Sequence, residues 1–237
     1  MRQFGIIGKP LEHSYSAIYF TEKFTREKID AEYRLYEIDD LSNIISLMRK
    51  LYGFNVTYPY KQLIINHLQS IDDIAVKIGA VNVVCQGKGY NTDWIGFRNS
   101  IFPYLRQKDT HALILGTGGV SKAIQYALQE MDIQYTLVSR HAEGSILGYN
   151  DLSAEVIATH TIIINCTPLG MYPDINSLPP IPYEYINDKH LLYDCVYNPE
   201  CTAFLRAGIK QGARTVNGIQ MLHIQADAAW EIWNNLF

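Results

Sequence analysis

Apolar positions along the chain fall into two rhythms, short runs bounded by glycine, proline or asparagine, and longer stretches at helical spacing between them. The short runs at residues 4–8, 33–38, 53–57 and 80–85 read as strands, and the spaced patterns at 17–28, 41–51 and 71–78 as helices. Residues 86–89 read as a hairpin turn. The polar cluster Tyr90-Asn91-Thr92-Asp93 then stands at the mouth of a helix running to about residue 105. Pro59 suits the first positions of a helix, which would put Lys61 about one turn into it, on the carboxyl side of a strand. From residue 111 the alternation becomes regular. Strands are expected at 112–115, 134–138, 161–166, 191–197 and 214–216, and helices at 121–131, 152–158 and 202–211, with a proline-rich surface excursion at 173–182. That alternation predicts an α/β chain with a doubly wound parallel sheet. Residues 219–236 form one helical pattern, whose stripe of Met221, Leu222, Ile224, Ala228, Ala229 and Ile232 surrounds a single amide, Gln225.

The most informative junction is residues 111–123. An apolar strand ends in Gly116-Thr117-Gly118-Gly119 and passes through Val120 and Ser121 into a helix. Strand, glycine turn and helix together are the context in which such a fingerprint means dinucleotide binding. Gly116 permits the tight turn, Gly118 lets backbone approach a pyrophosphate, and Gly119 leaves bare amides at a helix N-terminus, where the dipole favours phosphate. An ordinary strand–helix turn is the competing reading. The second strand of this unit ends Val138-Ser139-Arg140-His141, without an acid at its tip. An NAD-preferring site usually carries an acid about 20 residues past the glycines. Arg140 and Ser139 instead suit a ribose 2′-phosphate, so NADP is expected, with Glu143 the nearest contrary residue.

Composition narrows the classes. The chain has 237 residues, 48% hydrophobic and 19% charged, enough for one large or two small domains. A net charge of −4 and no basic stripe argue against nucleic acid. No apolar run approaches the roughly 18 residues a membrane span needs, and the N-terminus reads as a first strand rather than a signal peptide. The four cysteines, Cys85, Cys166, Cys195 and Cys201, lack paired spacing and read as small buried thiols of a cytoplasmic protein. The seven histidines show no metal-ligand spacing, so no metal is expected.

Several polar residues carry two readings each. Ser14 and Ser16 precede a helix and are either caps or, with the free amides, an anion site for a carboxylate. Lys61 alone would be a solvated surface residue. Asn82 interrupts an apolar strand and either satisfies backbone or faces a ligand, and Asp93 is either an N-cap or a catalytic carboxylate.

Taken in order, His13-Ser14-x-Ser16, Asn55-Val56-Thr57-x-Pro59-x-Lys61, Ala80-Val81-Asn82 and Asn91-Thr92-Asp93 resemble the shikimate dehydrogenase family. The likeness continues after the glycine turn in Asn165-x-Thr167-Pro168-x-Gly170-Met171, Tyr193-Asp194-x-x-Tyr197 and Gly218-x-x-Met221-Leu222-x-x-Gln225, and so spans nearly the whole chain. The resemblance implies an N-terminal α/β substrate domain of residues 1–94 plus 219–237. It also implies a Rossmann-type NADP domain of residues 95–218, with the active site in the cleft between them. It implies reversible reduction of 3-dehydroshikimate by NADPH, a step of aromatic amino-acid and chorismate biosynthesis, by a monomer or homodimer. Lys61 and Asp93 would be catalytic. Ser14 and Ser16 would hold the substrate carboxylate, and Thr57, Asn82, Tyr197 and Gln225 would surround the ring hydroxyls. Thr167, Met171 and Gly218 would join Gly116, Thr117, Gly118, Gly119, Val120, Ser139 and Arg140 around the cofactor.

The chain departs from the family pattern in places. Tyr15 stands where lysine is usual, Ala17 where proline is common, Trp94 where glycine usually follows the Asn-Thr-Asp triplet, and His141 in place of threonine. It also ends soon after Trp233, without the further helix of longer members, which bears on dimer contacts and on closure of the first domain. Two rival functions remain at this level: a related dehydrogenase acting on quinate or another cyclic hydroxy acid, and a non-catalytic NADP-binding sensor. The intact Ser14/Ser16 pair favours a carboxylate-bearing ring, and the presence of Lys61 and Asp93 disfavours the sensor.

Overall fold

A computed structural model describes residues 1–11 and 14–235, so His13 of the first motif and Leu236 of the last helix lie outside the described residues. The chain divides into two compact units, Met1–Trp94 with Gln225–Phe237, and Ile95–Ile224. The second division falls inside one helix, α8 (Ile219–Asn235), whose start is where the sequence reading put the return to the first domain. Among the described residues no helix is long and apolar enough to cross a membrane.

The first unit is built on a mixed sheet. Its strands are β1 (Arg2–Gly8), β2 (Ala31–Glu37), β3 (Gly53–Val56), β4 (Ser70–Ile71), β5 (Val83–Cys85) and β6 (Lys88–Tyr90), in the order β2-β1-β3-β5-β6-β4. β1 pairs in parallel with β2 and β3, whereas β5 runs antiparallel to both β3 and β6. Alternation along the strands sends Phe4, Ile6, Val83 and Cys85 to one face. There they meet Phe20 and Phe24 of α1 (Tyr15–Glu27) and Ala226, Ala229 and Trp233 of α8. Ile7, Phe54, Val56 and Val84 face the other side, against Ile44 of α2 (Ile44–Lys50) and Ala75 of α3 (Asp73–Ile78). Trp233 is fully buried, its Nε1 donates to the Val84 carbonyl at 3.2 Å, and its ring occupies the space that a Cβ on Gly53 would need.

The second unit has an all-parallel sheet of β7 (His111–Leu115), β8 (Gln134–Ser139), β9 (Leu147–Gly148), β10 (Ile162–Asn165), β11 (Leu191–Asp194) and β12 (Arg214–Val216). Its order is β12-β11-β10-β7-β8-β9, which read from the β9 edge is the third, second, first, fourth, fifth and sixth strand of the unit. This is the dinucleotide-fold order, with its switch point between β7 and β10. The central strands are apolar over most of their length, with polar residues only at their ends, because both faces are covered. The helices are α4 (Asp93–Ile101), which begins at the end of the first unit, then α5 (Gly119–Gln129), α6 (Ala154–Thr159) and α7 (Ala203–Lys210).

The structure corrects the sequence reading at several boundaries, each for a local reason. No α-helix begins at Pro59. The Lys61 carbonyl accepts from the Val81 amide at 2.7 Å, so it is not available to the amide four residues on, and the segment makes turns before a 3₁₀ stretch at Leu63–His67. The hairpin turn shrinks to Gln86 and Gly87, both at positive φ, the type that matches strand twist, and this frees residues 88–90 to pair as β6. The strands expected to reach residues 166 and 197 stop at Asn165 and Asp194. There side-chain oxygens accept from the amides of Thr167 and Val196 and turn the chain out of the sheet. α4 ends at Ile101, with Pro103 in the 3₁₀ turn that follows. The two-residue strands β4 and β9 were too short to carry a periodicity.

Candidate active site

In the first unit, the carboxyl end of β3 leads through Thr57 into tight turns that present Lys61. Lys61 Nζ donates to Asp93 Oδ2 at 2.6 Å, and Asn82 Nδ2 donates to Asp93 Oδ1 at 2.8 Å. The Lys61 side chain is 18% exposed and that of Asp93 7%, so the pair is largely shielded from solvent. Asn82 cannot reverse its amide freely, because its Oδ1 accepts from the Thr92 amide at 2.7 Å. Its Nδ2 also lies 3.0 Å from Thr92 Oγ1 and 3.4 Å from Gln225 Oε1, which accounts for the single amide in the apolar stripe of α8. The Asp93 amide is held by Asn91 Oδ1 at 3.0 Å, and Asn91 Nδ2 donates to the Ala80 carbonyl at 2.9 Å. Asp93 is therefore the first residue of α4, with its carboxylate turned to Lys61 and Asn82, rather than the N-cap the sequence also allowed.

Ser14 is the N-cap residue of α1 by backbone geometry, yet its hydroxyl makes no capping bond. Ser16 is buried in the first turn, where its hydroxyl bonds the Tyr33 hydroxyl. Tyr33 donates to Asn55 Oδ1 at 2.7 Å, and Asn55 Nδ2 reaches the Asn82 carbonyl at 3.3 Å. A continuous polar chain thus joins the start of α1 to the strand that carries Asn82. Burial pushes the Tyr33 phenol far above its ordinary value, and the Ser16 bond pulls it part of the way back, so Tyr33 stays a neutral donor. Thr57 packs its methyl against Gly8, where a Cβ would collide with it. Sequence reasoning assigned no role to Tyr33, Asn55, Asn91 or Thr92. Asn55, Asn91 and Thr92 stood inside the family motifs without a role of their own, and Tyr33 lay outside them.

In the second unit, the carboxyl ends of β7, β8, β10 and β12 and the loops that follow them carry the expected cofactor residues. Gly116 has φ +105°, which side-chain-bearing residues rarely adopt, and its amide donates to the Val138 carbonyl. α5 begins at Gly119 with Gly118 as its N-cap, and a Cβ built on Gly118 would meet nothing within 4 Å. Thr117 and Gly118 are exposed and Gly119 and Val120 half-buried, so the backbone at this turn, at the start of α5, is open to solvent. That is the arrangement a pyrophosphate requires. Arg140 is exposed at the end of β8, beside Ser139, whose hydroxyl accepts from the His141 amide at 3.2 Å. The residues present thus fit a dinucleotide. Thr167 turns its hydroxyl inward to Asn165 Oδ1 at 2.6 Å, and Met171 is exposed beyond it. At Gly218 a Cβ would strike the Cys195 carbonyl oxygen, so close backbone approach accounts for that glycine. Tyr197 follows β11 in this unit.

Behind these loops Asp194 accepts from Asn165 Nδ2 at 3.0 Å, the Val196 amide at 3.0 Å and Thr202 Oγ1 at 2.6 Å. Burial raises its pKa to about 6, against the pull of those three donors. All four cysteines are free thiols, as expected, but only Cys85 is buried. Cys166, Cys195 and Cys201 are half-buried, and the Cys166 and Cys195 sulfurs lie 3.9 Å apart.

A family model described as the shikimate dehydrogenase substrate binding domain matches residues 6–84. The NADP(+) shikimate dehydrogenase of Methanococcus vannielii is 36% identical over 257 residues, covering 97% of this chain and 90% of the relative. The chain belongs to the shikimate dehydrogenase family. A crystal structure of a shikimate dehydrogenase in complex with NADP+ superposes with a TM-score of 0.90 at 30% identity, over 100% of this chain and 91% of that one. The shikimate dehydrogenase of Thermus thermophilus, solved with NADP(H) and shikimate, gives 0.88 at 26% identity, over 100% and 95%. The family likeness therefore runs through both units and extends well beyond the matched N-terminal segment.

Proposed function

We propose that the chain is an NADP-dependent oxidoreductase that interconverts 3-dehydroshikimate and shikimate, a step of aromatic amino-acid biosynthesis. The observation that carries the reading is Lys61 held on Asp93, with Asp93 fixed in turn by Asn82. NADPH, when bound, supplies the hydride. As the ketone oxygen gains negative charge, Lys61 hydrogen-bonds it and delivers the proton, and in the reverse direction Lys61 accepts the proton from the hydroxyl. Asp93 keeps the amine in one place, and Asn82 keeps the carboxylate in one rotamer.

Ser14 and Ser16 bind the substrate carboxylate; Ser14 makes no capping bond to α1, and Ser16 also bonds Tyr33. Thr57, Asn82, Tyr197 and Gln225 address the ring hydroxyls. A site with that many fixed donors and acceptors disfavours analogues that leave them unpaired. On the nucleotide side, the amides of Gly116 to Val120 hold the pyrophosphate and Ser139 and Arg140 the 2′-phosphate, while Thr167, Met171 and Gly218 border the nicotinamide end. The enzyme works in the cytoplasm as a monomer or homodimer.

Absorbance at the nicotinamide band tests the reading, with shikimate and quinate each offered with NADP+ and with NAD+. Turnover greatest for shikimate with NADP+ is expected, and absence of turnover with any pairing would refute it.

A further inference from the structure

Cys166 and Cys195 are 29 residues apart in sequence and adjacent in space. β10 and β11 run parallel with Asn165 opposite Asp194, so the next residue of each chain is a cysteine. The Cys195 amide donates to the Asn165 carbonyl at 3.0 Å, which carries the strand pairing one step further. The two sulfurs lie 3.9 Å apart, and both residues are half-buried, within reach of a small reagent.

Their backbones also lie beside two glycine turns, with the close approach on the Gly218 side. A Cβ on Gly116 would lie 3.4 Å from the Cys166 carbonyl carbon and oxygen, and one on Gly218 would strike the Cys195 carbonyl oxygen. Movement of the Cys195 peptide would press on Gly218, and movement of Cys166, whose amide donates to the Leu115 carbonyl at 2.9 Å, would pull on the strand end that leads into Gly116.

We propose that Cys166 and Cys195 form a peroxide-sensitive dithiol whose closure to a disulfide displaces the Gly116 and Gly218 loops and weakens NADP binding. The effect on nucleotide rests on the proposed cofactor role of those loops, whereas the dithiol itself does not. A peroxide is the oxidant. One thiolate attacks the peroxide, an S–O bond forms and the O–O bond breaks, so the sulfur becomes a sulfenic acid and the peroxide is reduced to water or an alcohol. The second thiolate then attacks that sulfur, the S–S bond forms, and hydroxide leaves and is protonated to water. The sulfurs must close from 3.9 Å to a bond of about 2.05 Å. Side-chain rotation supplies part of that movement, and the remainder falls on the two peptides packed against the glycines.

The test is graded hydrogen peroxide on the whole protein, read by peptide mapping after thiol alkylation and by NADP+ titration calorimetry. The expected product is a linked Cys166–Cys195 peptide lacking two hydrogens. NADP+ affinity should fall by about tenfold or more, because binding groups must be held within about 0.5 Å, and dithiothreitol should restore it. C166S and C195S, each compared with its own untreated sample, should lose both the linked peptide and the peroxide effect, while C85S should behave as the parent. Absence of the linked peptide overturns the proposal. So does a linked protein with unchanged NADP+ affinity, or an equal loss of affinity in C166S and C195S. If untreated protein fails to bind NADP+, the cofactor reading and with it the affinity effect are wrong, and the peptide map alone decides the dithiol.

Discussion

Asp93→Asn isolates the carboxylate charge because the substitution keeps shape and removes charge. Asp93 accepts two hydrogen bonds, from Lys61 at 2.6 Å and from Asn82 at 2.8 Å. Asparagine has one oxygen and one NH2, so one of those donors loses its acceptor. Asn82 is pinned by the Thr92 amide and presents its own NH2. The new oxygen therefore turns to Asn82 and the new NH2 faces Lys61. Lys61 loses its only charged partner among the described residues, in a setting where its side chain is 18% exposed. A hydrogen bond to a charged group is worth about 1.5–3 kcal/mol, which at 1.36 kcal/mol per decade is about a ten- to 150-fold fall in kcat. Stopped-flow reduction of NADP+ by shikimate measures it, with circular dichroism to show that the variant is folded. A folded variant whose kcat stays within about threefold of the parent would refute the role.

Lys61→Ala should lower kcat by about two to four orders of magnitude with a far smaller change in KM for shikimate, and an unchanged kcat would remove Lys61 from the chemistry. Arg140→Ala should narrow the preference for NADP+ over NAD+ chiefly through KM for NADP+. An unmoved ratio of kcat/KM values would make Arg140 a solvated surface residue. Asp194 has a folded pKa raised to about 6 from 3.8, so its protonated form favours the folded state. That contribution is complete below 3.8 and is lost as pH rises through about 6. The difference amounts to about 3 kcal/mol, and urea midpoints at about pH 4.5 and about pH 7.5 should show a shallower pH slope in Asp194→Asn; equal slopes would contradict the burial account.

What could be read from the sequence is what depends on neighbours in the chain. The Gly116 turn is local chemistry, because one residue needs positive φ and the next few start a helix. The apolar runs of β7, β10 and β11 are local as well, and their alternation with helices is enough to give the parallel sheet. The Asn91-Thr92-Asp93 triplet was visible as polar density at a helix mouth, but the division of labour within it was not. Asn91 reaches back to Ala80, and Asp93 reaches Lys61, 32 residues away. The turns around Lys61 were misread as helix for the same reason, since the bond that takes the Lys61 carbonyl comes from Val81 on a different segment. The Ser16–Tyr33–Asn55 chain and the Cys166–Cys195 pair likewise join elements whose spacing in sequence carries no pattern.

The buried amides and hydroxyls of the first unit do not stabilise it. Asn55, Asn82, Asn91, Thr92 and Asp93 are each at most 5% exposed, and a polar group buried without a partner costs about 1–3 kcal/mol. Each of the five does have a partner, and that satisfaction returns the cluster to near neutrality rather than to a gain. The gain comes from the two apolar faces of the same sheet, where Phe4, Phe20, Phe24 and Trp233 pack on one side and Phe54, Ile64 and Val84 on the other. Gly53 sits against the Trp233 ring with no room for a methyl group, so β3 is clamped one strand away from Asn82 and a few residues before Lys61. Apolar packing thus fixes the positions of polar groups that contribute little to stability themselves. Hydrogen bonds whose geometry is set in that way are the ones that can hold a lysine amine on a carboxylate at 2.6 Å before any substrate arrives.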